Sequence, residues 1–345
     1  MHKKPGTQDA QTEHPCRLFC RLARQAPVGL IIRRGPNPWV QLSLWHTDTD
    51  EIEYGQWFRG GLPEGRCDLS PDGSLFIYFA TKYGRAQFNT WTAISRPPYF
   101  TALALWPLGD SWGGGGLFVD ERTVLLGHNP DVASALEGHR PPPWLKVSMH
   151  TGSISLSHER LLRDGWIRLQ EGRQSPDRWP IKMLEPEIFQ KRHPDGKHML
   201  FMKYFGYDNK RYGSPSIYEF SLKNTTRYQE TVLEGATWAD LDYRQRLVFT
   251  KNDGGLYADA FQHAEFSPQL LANLNDQRPR GVITPQWATT WEKRTGQITA
   301  SASSLQGISS KDQEEQQPER RNSPQAVYPQ RRGIRARDAH NDLLL

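Results

Sequence analysis

Short apolar runs bounded by turn-forming residues recur along the middle of the chain, and their alternation predicts strands rather than helices. In CDLSPDGSLFIYFA, residues 67 to 80, Leu75, Ile77 and Phe79 alternate with Phe76 and Tyr78. Both faces of that segment are apolar, as in a strand covered on both sides. Just before it, Pro71 presets φ, Asp72 bonds the backbone beyond it, and Gly73 accepts the positive φ that closes a tight turn. The same order returns in QKRHPDGKHMLFMKYF, residues 190 to 205, with Pro194, Asp195 and Gly196 at the turn. Weaker echoes keep an acidic residue and a strand: DERTVLLG from Asp120, HERLLRDGWIRL from His158 with Glu159 as its marker, and DYRQRLVFTKNDGGLYADAF from Asp242. Markers about 40 residues apart, with irregular intervals, fit four-stranded blades joined by loops of varying length.

Upstream, VGLIIRRGPNPWVQLSLWHTDTDEIEYGQWF, residues 28 to 58, predicts two strands around Gly35-Pro36-Asn37-Pro38 and a third after the polar TDTDE loop. Earlier still, CRLFCRLA fits a strand with Cys16, Leu18, Cys20 and Leu22 on one face. It also fits a helix with Arg17, Arg21 and Arg24 on one polar stripe. The strand is preferred, because an amino-terminal strand that completes the last blade would remove an open sheet edge.

The second PDG segment runs on through FGYDNKRYGSPSIYEFSL. A PDG turn, an apolar strand, a polar loop containing Gly and then an Ile-Tyr strand together resemble the WD-like repeat of TolB-type β-propellers. The match covers residues 193 to 222, and SPDGSLFIYFATKYG matches the first half of the repeat. The resemblance implies a fold and no activity. The expected architecture is all-β: a β-propeller of about six four-stranded blades over residues 15–292, a disordered arm over 1–14, and a disordered tail over 293–345.

Composition supports this division. All twelve tryptophans lie between Trp39 and Trp291, whereas the stretch from Thr295 is rich in Ser, Gln, Glu and Arg and has no Trp or Phe. Such a tail cannot bury enough apolar area to offset chain entropy. The net charge of +5 is small for 345 residues and demands no anionic partner. Cys16, Cys20 and Cys67 are too few for a disulfide framework, which points to a reducing compartment. The polar start MHKKPGTQDAQTEHP has no apolar core of a signal segment, and no run of 18 apolar residues occurs, so a cytoplasmic location with no membrane contact is expected.

Candidate chemistry is sparse. Gly109-Asp110-Ser111-Trp112-Gly113 has the G-x-S-x-G form of a nucleophile elbow and makes Ser111 the candidate nucleophile. An elbow must open a helix, and the glycines from Gly113 to Gly116 oppose one. The same glycines lack the Lys-Ser/Thr of a phosphate loop. Asp48, Asp50, Glu51 and Glu53 fail the calcium-loop pattern at its fifth, sixth and twelfth positions. Cys16 and Cys20 have no second pair with which to hold zinc, and His193 and His198 flank a turn as ordinary surface residues. No metal and no cofactor is expected.

Arg96-Pro97-Pro98-Tyr99 breaks a strand ladder, because proline cannot donate to it, and should put an Arg and a Tyr on a loop, with Trp112 on the next one. Arg96, Tyr99 and Trp112 are therefore the expected partner-binding residues. The tail segment PQRRGIRAR sits among acidic residues, so nucleic acid is not the expected partner. The functional expectation is a monomeric, non-catalytic platform for another protein or a small ligand. The alternative is a hydrolase or lyase acting in the propeller channel or at the Gly109–Gly113 loop.

Overall fold

The PDG turns form as their residues dictate. The computed structural model describes residues 15–84, 88–129, 134–176, 181–208, 216–263 and 265–291. In it, Gly73 and Gly196 hold φ of +76° and +69°, the left-handed region open to glycine. Asp72 Oδ1 accepts from the Ser74 amide at 3.0 Å, and Asp195 Oδ1 accepts from the Lys197 and His198 amides at 2.7 and 3.0 Å. The arm and the tail expected at the two ends lie outside the described residues.

Five sheets follow one another along the chain. Blade 1 is β1 (Arg17–Leu22), β2 (Val28–Arg34), β3 (Trp39–His46) and β4 (Glu51–Arg59). Blade 2 is β5 (Asp68–Leu69), β6 (Phe76–Thr81), β7 (Thr90–Ser95) and β8 (Ala102–Leu108). Blade 3 has three strands, β9 (Gly116–Phe118), β10 (Thr123–Leu126) and β11 (Lys146–Met149), with β11 parallel to β10. A helix, α1 (Leu156–Arg163), then precedes blade 4. Blade 4 contains β12 (Ile167–Gln170), β13 (Arg173–Gln174), β14 (Ile181–Arg192), β15 (His198–Tyr207), β16 (Ser216–Asn224) and β17 (Gln229–Val232); β12 and β13 both pair with β14. Blade 5 is β18 (Ala236–Leu241), β19 (Leu247–Lys251), β20 (Gly255–Asp259) and β21 (Gln269–Asn273). Strands β18, β1, β5 and β9 lie side by side, so the first strands of these blades surround a common axis.

The architecture is an all-β propeller of five blades, not about six. The extra blade came from HERLLRDGWIRL, whose first half is α1. Ser155 caps that helix by accepting from the His158 amide, Glu159 lies in its first turn, and Arg160 and Arg163 lie in its last, the charge order a helix dipole favours. The closure scheme also differs from expectation. Strand β1 forms, with Cys16, Leu18 and Cys20 on one buried face, but it pairs with β2 in the first blade rather than completing the last. Blades 1 and 5 meet instead through side chains. Arg33 Nε donates to the Leu274 carbonyl at 2.8 Å, and Thr250 Oγ1 donates to the Leu18 carbonyl at 3.0 Å.

Buried apolar clusters join blades 1 and 2, blades 2 and 3, blades 4 and 5, and blades 5 and 1. Among the described residues no such cluster joins blades 3 and 4. Helix α1 lies at that seam and makes polar contacts, His150 with Glu159 and His158 with Glu187, and reaches back to blade 2 through a two-pronged Arg163–Asp68 pair at 2.6 and 3.0 Å. No helix among the described residues is long and apolar enough to cross a membrane.

Candidate functional site

The absence of an apolar seam leaves room beside α1. A cavity of about 660 Å³ lies among β1, α1, the blade 4 sheet and β18. That volume is in the range of small-molecule sites. Its apolar wall is a cross-strand ladder: Met202 faces Phe220 and Tyr204 faces Tyr218 across β15 and β16, with Phe189 opposite Met202 on β14. Residues two apart on a strand share a face, so one register aims the whole set inward. The Tyr204 and Tyr218 rings lie 5.3 Å apart, and those of Tyr218 and Phe220 5.8 Å apart.

Polar groups converge on the same space. His158 Nε2 donates to Glu187 Oε2 at 2.8 Å, and Arg168 lies 3.6 Å from the other carboxylate oxygen of this buried Glu187. Lys191 Nζ lies 2.5 Å from Asp240 Oδ1 and over the Trp166 ring. Burial, with Tyr218 and Glu187 nearby, raises the Tyr204 hydroxyl, and burial with Glu64 nearby raises that of Tyr218. Both phenols therefore stay protonated at neutral pH and can donate to a ligand. Cys20 also lines the cavity. Burial raises its thiol, which keeps it from acting as a thiolate nucleophile.

The residues singled out in the sequence lie elsewhere. Ser111 is exposed on a loop followed by strand β9, not by a helix, and its carbonyl accepts from Arg66 Nη1 at 2.8 Å. The glycine run has a packing reason. A Cβ at Gly114 would come within 2.3 Å of the Phe79 ring, and one at Gly115 within 2.2 Å of the Arg66 carbonyl oxygen. Arg96 and Tyr99, expected on an open loop, are only 5% and 7% exposed. The chain's own segment 282–291 covers them: Arg96 Nε donates to the Thr290 carbonyl, and the Trp287 ring packs edge-on against Tyr99 at 5.7 Å. Trp112 is 91% exposed. Cys16, Cys20 and Cys67 are buried free thiols, and burial pushes that of Cys67 up to about 12.

The β14–β15 turn brings His193, Asp195 and His198 together, with potential ligand atoms within 4.8 Å of one another. Hydrogen bonding spends those atoms on the turn itself. Asn224 Oδ1 accepts from the Thr226 and Arg227 amides, so its Nδ2 faces His198 and donates to Nε2 at 3.1 Å. A neutral His198 ring must then carry its proton on Nδ1, where it donates to Asp195 Oδ2 at 2.6 Å. No Nδ1 lone pair remains there for a metal. Burial alone would raise the Asp195 carboxyl; hydrogen bonds from His198, the Lys197 amide and His193 outweigh it and hold the group well below the usual carboxylate range.

No protein-family model matches the chain, and no curated protein matches it. Among solved structures, the chain is similar to the β-propeller domain of the Trilobed protease from Pyrococcus furiosus, which is described as having an open velcro topology. The identity is 10%, the match covers 75% of this chain and 85% of that one, and the TM-score is 0.30. The class is defined by this chain's own sheets: a five-bladed β-propeller with a cavity among β1, α1, the blade 4 sheet and β18.

Proposed function

We propose that this protein is a non-catalytic β-propeller of the cytoplasm whose cavity beside α1 binds a small ligand. The two PDG repeats are, in this reading, those of the TolB-type propellers they resemble. The observation that carries the proposal is the 660 Å³ cavity, where an aromatic ladder and a few convergent polar side chains meet on rigid strands. A thermal-shift screen of a metabolite panel, run on the wild type and on Ser216→Trp, tests it. Ser216 lines the cavity, so the indole fills the space. Compounds that raise the wild-type melting temperature and leave Ser216→Trp unmoved are expected; equal responses from the two proteins would refute the reading.

The His158–Glu187 pair beside Tyr204 favours a second reading, a hydrolase or lyase in the same cavity, since a carboxylate-oriented imidazole is a proton-transfer group. Turnover of a bound compound, lost in His158→Gln with binding retained, would replace the platform reading with that one.

A further inference from the structure

The two ends of the cavity differ in how their charges are met. At the blade 4 and 5 end each buried carboxylate has a cation: Glu187 has His158 and Arg168, and Asp240 has Lys191. At the blade 1 end the cations have no carboxylate. Arg21 donates to the carbonyls of Cys20 at 2.9 Å, Cys67 at 3.1 Å and Glu64, while Arg160 Nη1 donates to those of Gly65 at 3.1 Å and Cys67 at 3.0 Å. Neither guanidinium forms an ion pair with a carboxylate among the described residues, and both line the cavity. The acidic side chains on that side are engaged by other arginines: Glu64 lies 3.2 Å from Arg34, Asp164, which also lines the cavity, lies 2.8 Å from Arg163, and Asp68 is held by Arg163 as well.

A buried cation partnered only by neutral carbonyls retains a strong field that an anion can satisfy. Arg160 shows the strain directly. Burial, with Arg21 beside it, pushes its guanidinium down to about 10, which still leaves it charged at neutral pH. Arg21 and Arg160 line the same cavity as Tyr204, Tyr218 and Phe220, so the positive end and the aromatic ladder can address one bound molecule. From this juxtaposition we infer that the cavity selects a planar organic anion, its carboxylate or other acidic group taken by Arg21 and Arg160 and its flat body laid against Tyr204, Tyr218 and Phe220. The inference rests on the proposal that the cavity binds small molecules, and adds the ligand's charge and shape.

Two fluorescent probes of matched shape separate the two ideas. 8-Anilinonaphthalene-1-sulfonate is a planar anion, and N-phenyl-1-naphthylamine is its uncharged counterpart. The wild-type chain is expected to bind the sulfonate at least about tenfold more tightly than the neutral dye. Arg21→Met and Arg160→Met should each weaken the sulfonate by about ten- to hundredfold and leave the neutral dye within about twofold, since hydrogen bonds to charged groups carry that much. A cooperative thermal melt with the wild-type near-UV circular dichroism shows that each variant is folded. Should Arg160→Met not fold, Arg21→Lys supplies the second arm: it keeps the charge, loses the forked donors and should fall between wild type and Arg21→Met. Equal affinity for both dyes, or equal loss of both in the variants, overturns the inference and leaves the cavity proposal standing. Binding of neither dye to the wild type refutes both.

Discussion

In blade 2 the strand after Pro71, Asp72 and Gly73 buries every residue from Phe76 to Ala80, whereas in blade 4 the strand after Pro194, Asp195 and Gly196 buries Leu200 and Met202 and leaves Met199, Phe201 and Lys203 half-buried. The turns are alike in φ and in the aspartate that holds them. The surroundings are not. Phe76 and Tyr78 face the cluster shared with blade 1, and Leu75 and Ile77 face the one shared with blade 3. Strand β15 meets an apolar cluster on one face only: Leu200 and Met202 join the cluster shared with blade 5, and on that same face Met202 and Tyr204 line the cavity. Turn chemistry starts a hairpin, and the neighbouring blades decide how many of its faces become core. The cavity opens beside α1 on the face that carries the blade 5 cluster, where that cluster does not fill all the space.

Phe76→Ala should lower unfolding free energy by about 3–5 kcal/mol, since it removes a fully buried ring stacked 5.3 Å from Tyr78. The matching change on the open strand, Phe201→Ala, should cost less than about 1.5 kcal/mol. Urea titrations of both decide the matter, and equal losses would mean that blade 4 is as closely covered as blade 2. Next comes Arg163→Met. It strips Asp68, buried on β5 of blade 2, of its two-pronged partner on α1 and should cost about 3 kcal/mol. If the seam is the looser join, hydrogen exchange should show α1 opening before β6 and β7, an order reversed if the apolar seams open first.

The PDG turn of blade 4 offers a smaller test. Asp195→Asn should cost about 1 kcal/mol at neutral pH through weakened hydrogen bonds. Because the folded-state carboxyl of Asp195 is held below its unfolded value, its stabilisation is complete above the ordinary carboxylate range and fades as pH falls through that range toward the folded value. Melting temperature should therefore drop less steeply between pH 5 and about pH 3 in the Asn variant than in the wild type; parallel curves would remove Asp195 from the explanation. Last, Trp112→Ala and Ser111→Ala should each stay within about 0.5 kcal/mol of wild type by the same titration, as exposed loop positions do.

Alternation and turn residues suffice to read the strands of residues 28 to 58, the strands that follow the two PDG turns and the strand character of CRLFCRLA, because each depends on neighbours two to four residues away. The echo HERLLRDGWIRL ends in strand β12 as expected, but its first half lies in α1, whose helical signal is one serine cap and a charge gradient, too local and too short to outweigh the surrounding β pattern. That single segment changed the blade count. Arg96 and Tyr99 were placed on a loop correctly in kind but not in exposure, since the segment that covers them is almost 190 residues downstream.

The cavity was beyond any local reading. Arg21, Arg160, Glu187, Tyr204 and Tyr218 come from five elements separated by up to about 200 residues, and only Tyr218, in the Ile-Tyr of the second repeat, stands in a recognised pattern. Periodicity along a strand records which side chains share a face; it holds no information about which face a distant blade will cover. Folding the ring settled that, by packing four seams with apolar side chains and filling the fifth with a charged helix, so that two arginines and an aromatic ladder were left facing the same enclosed space.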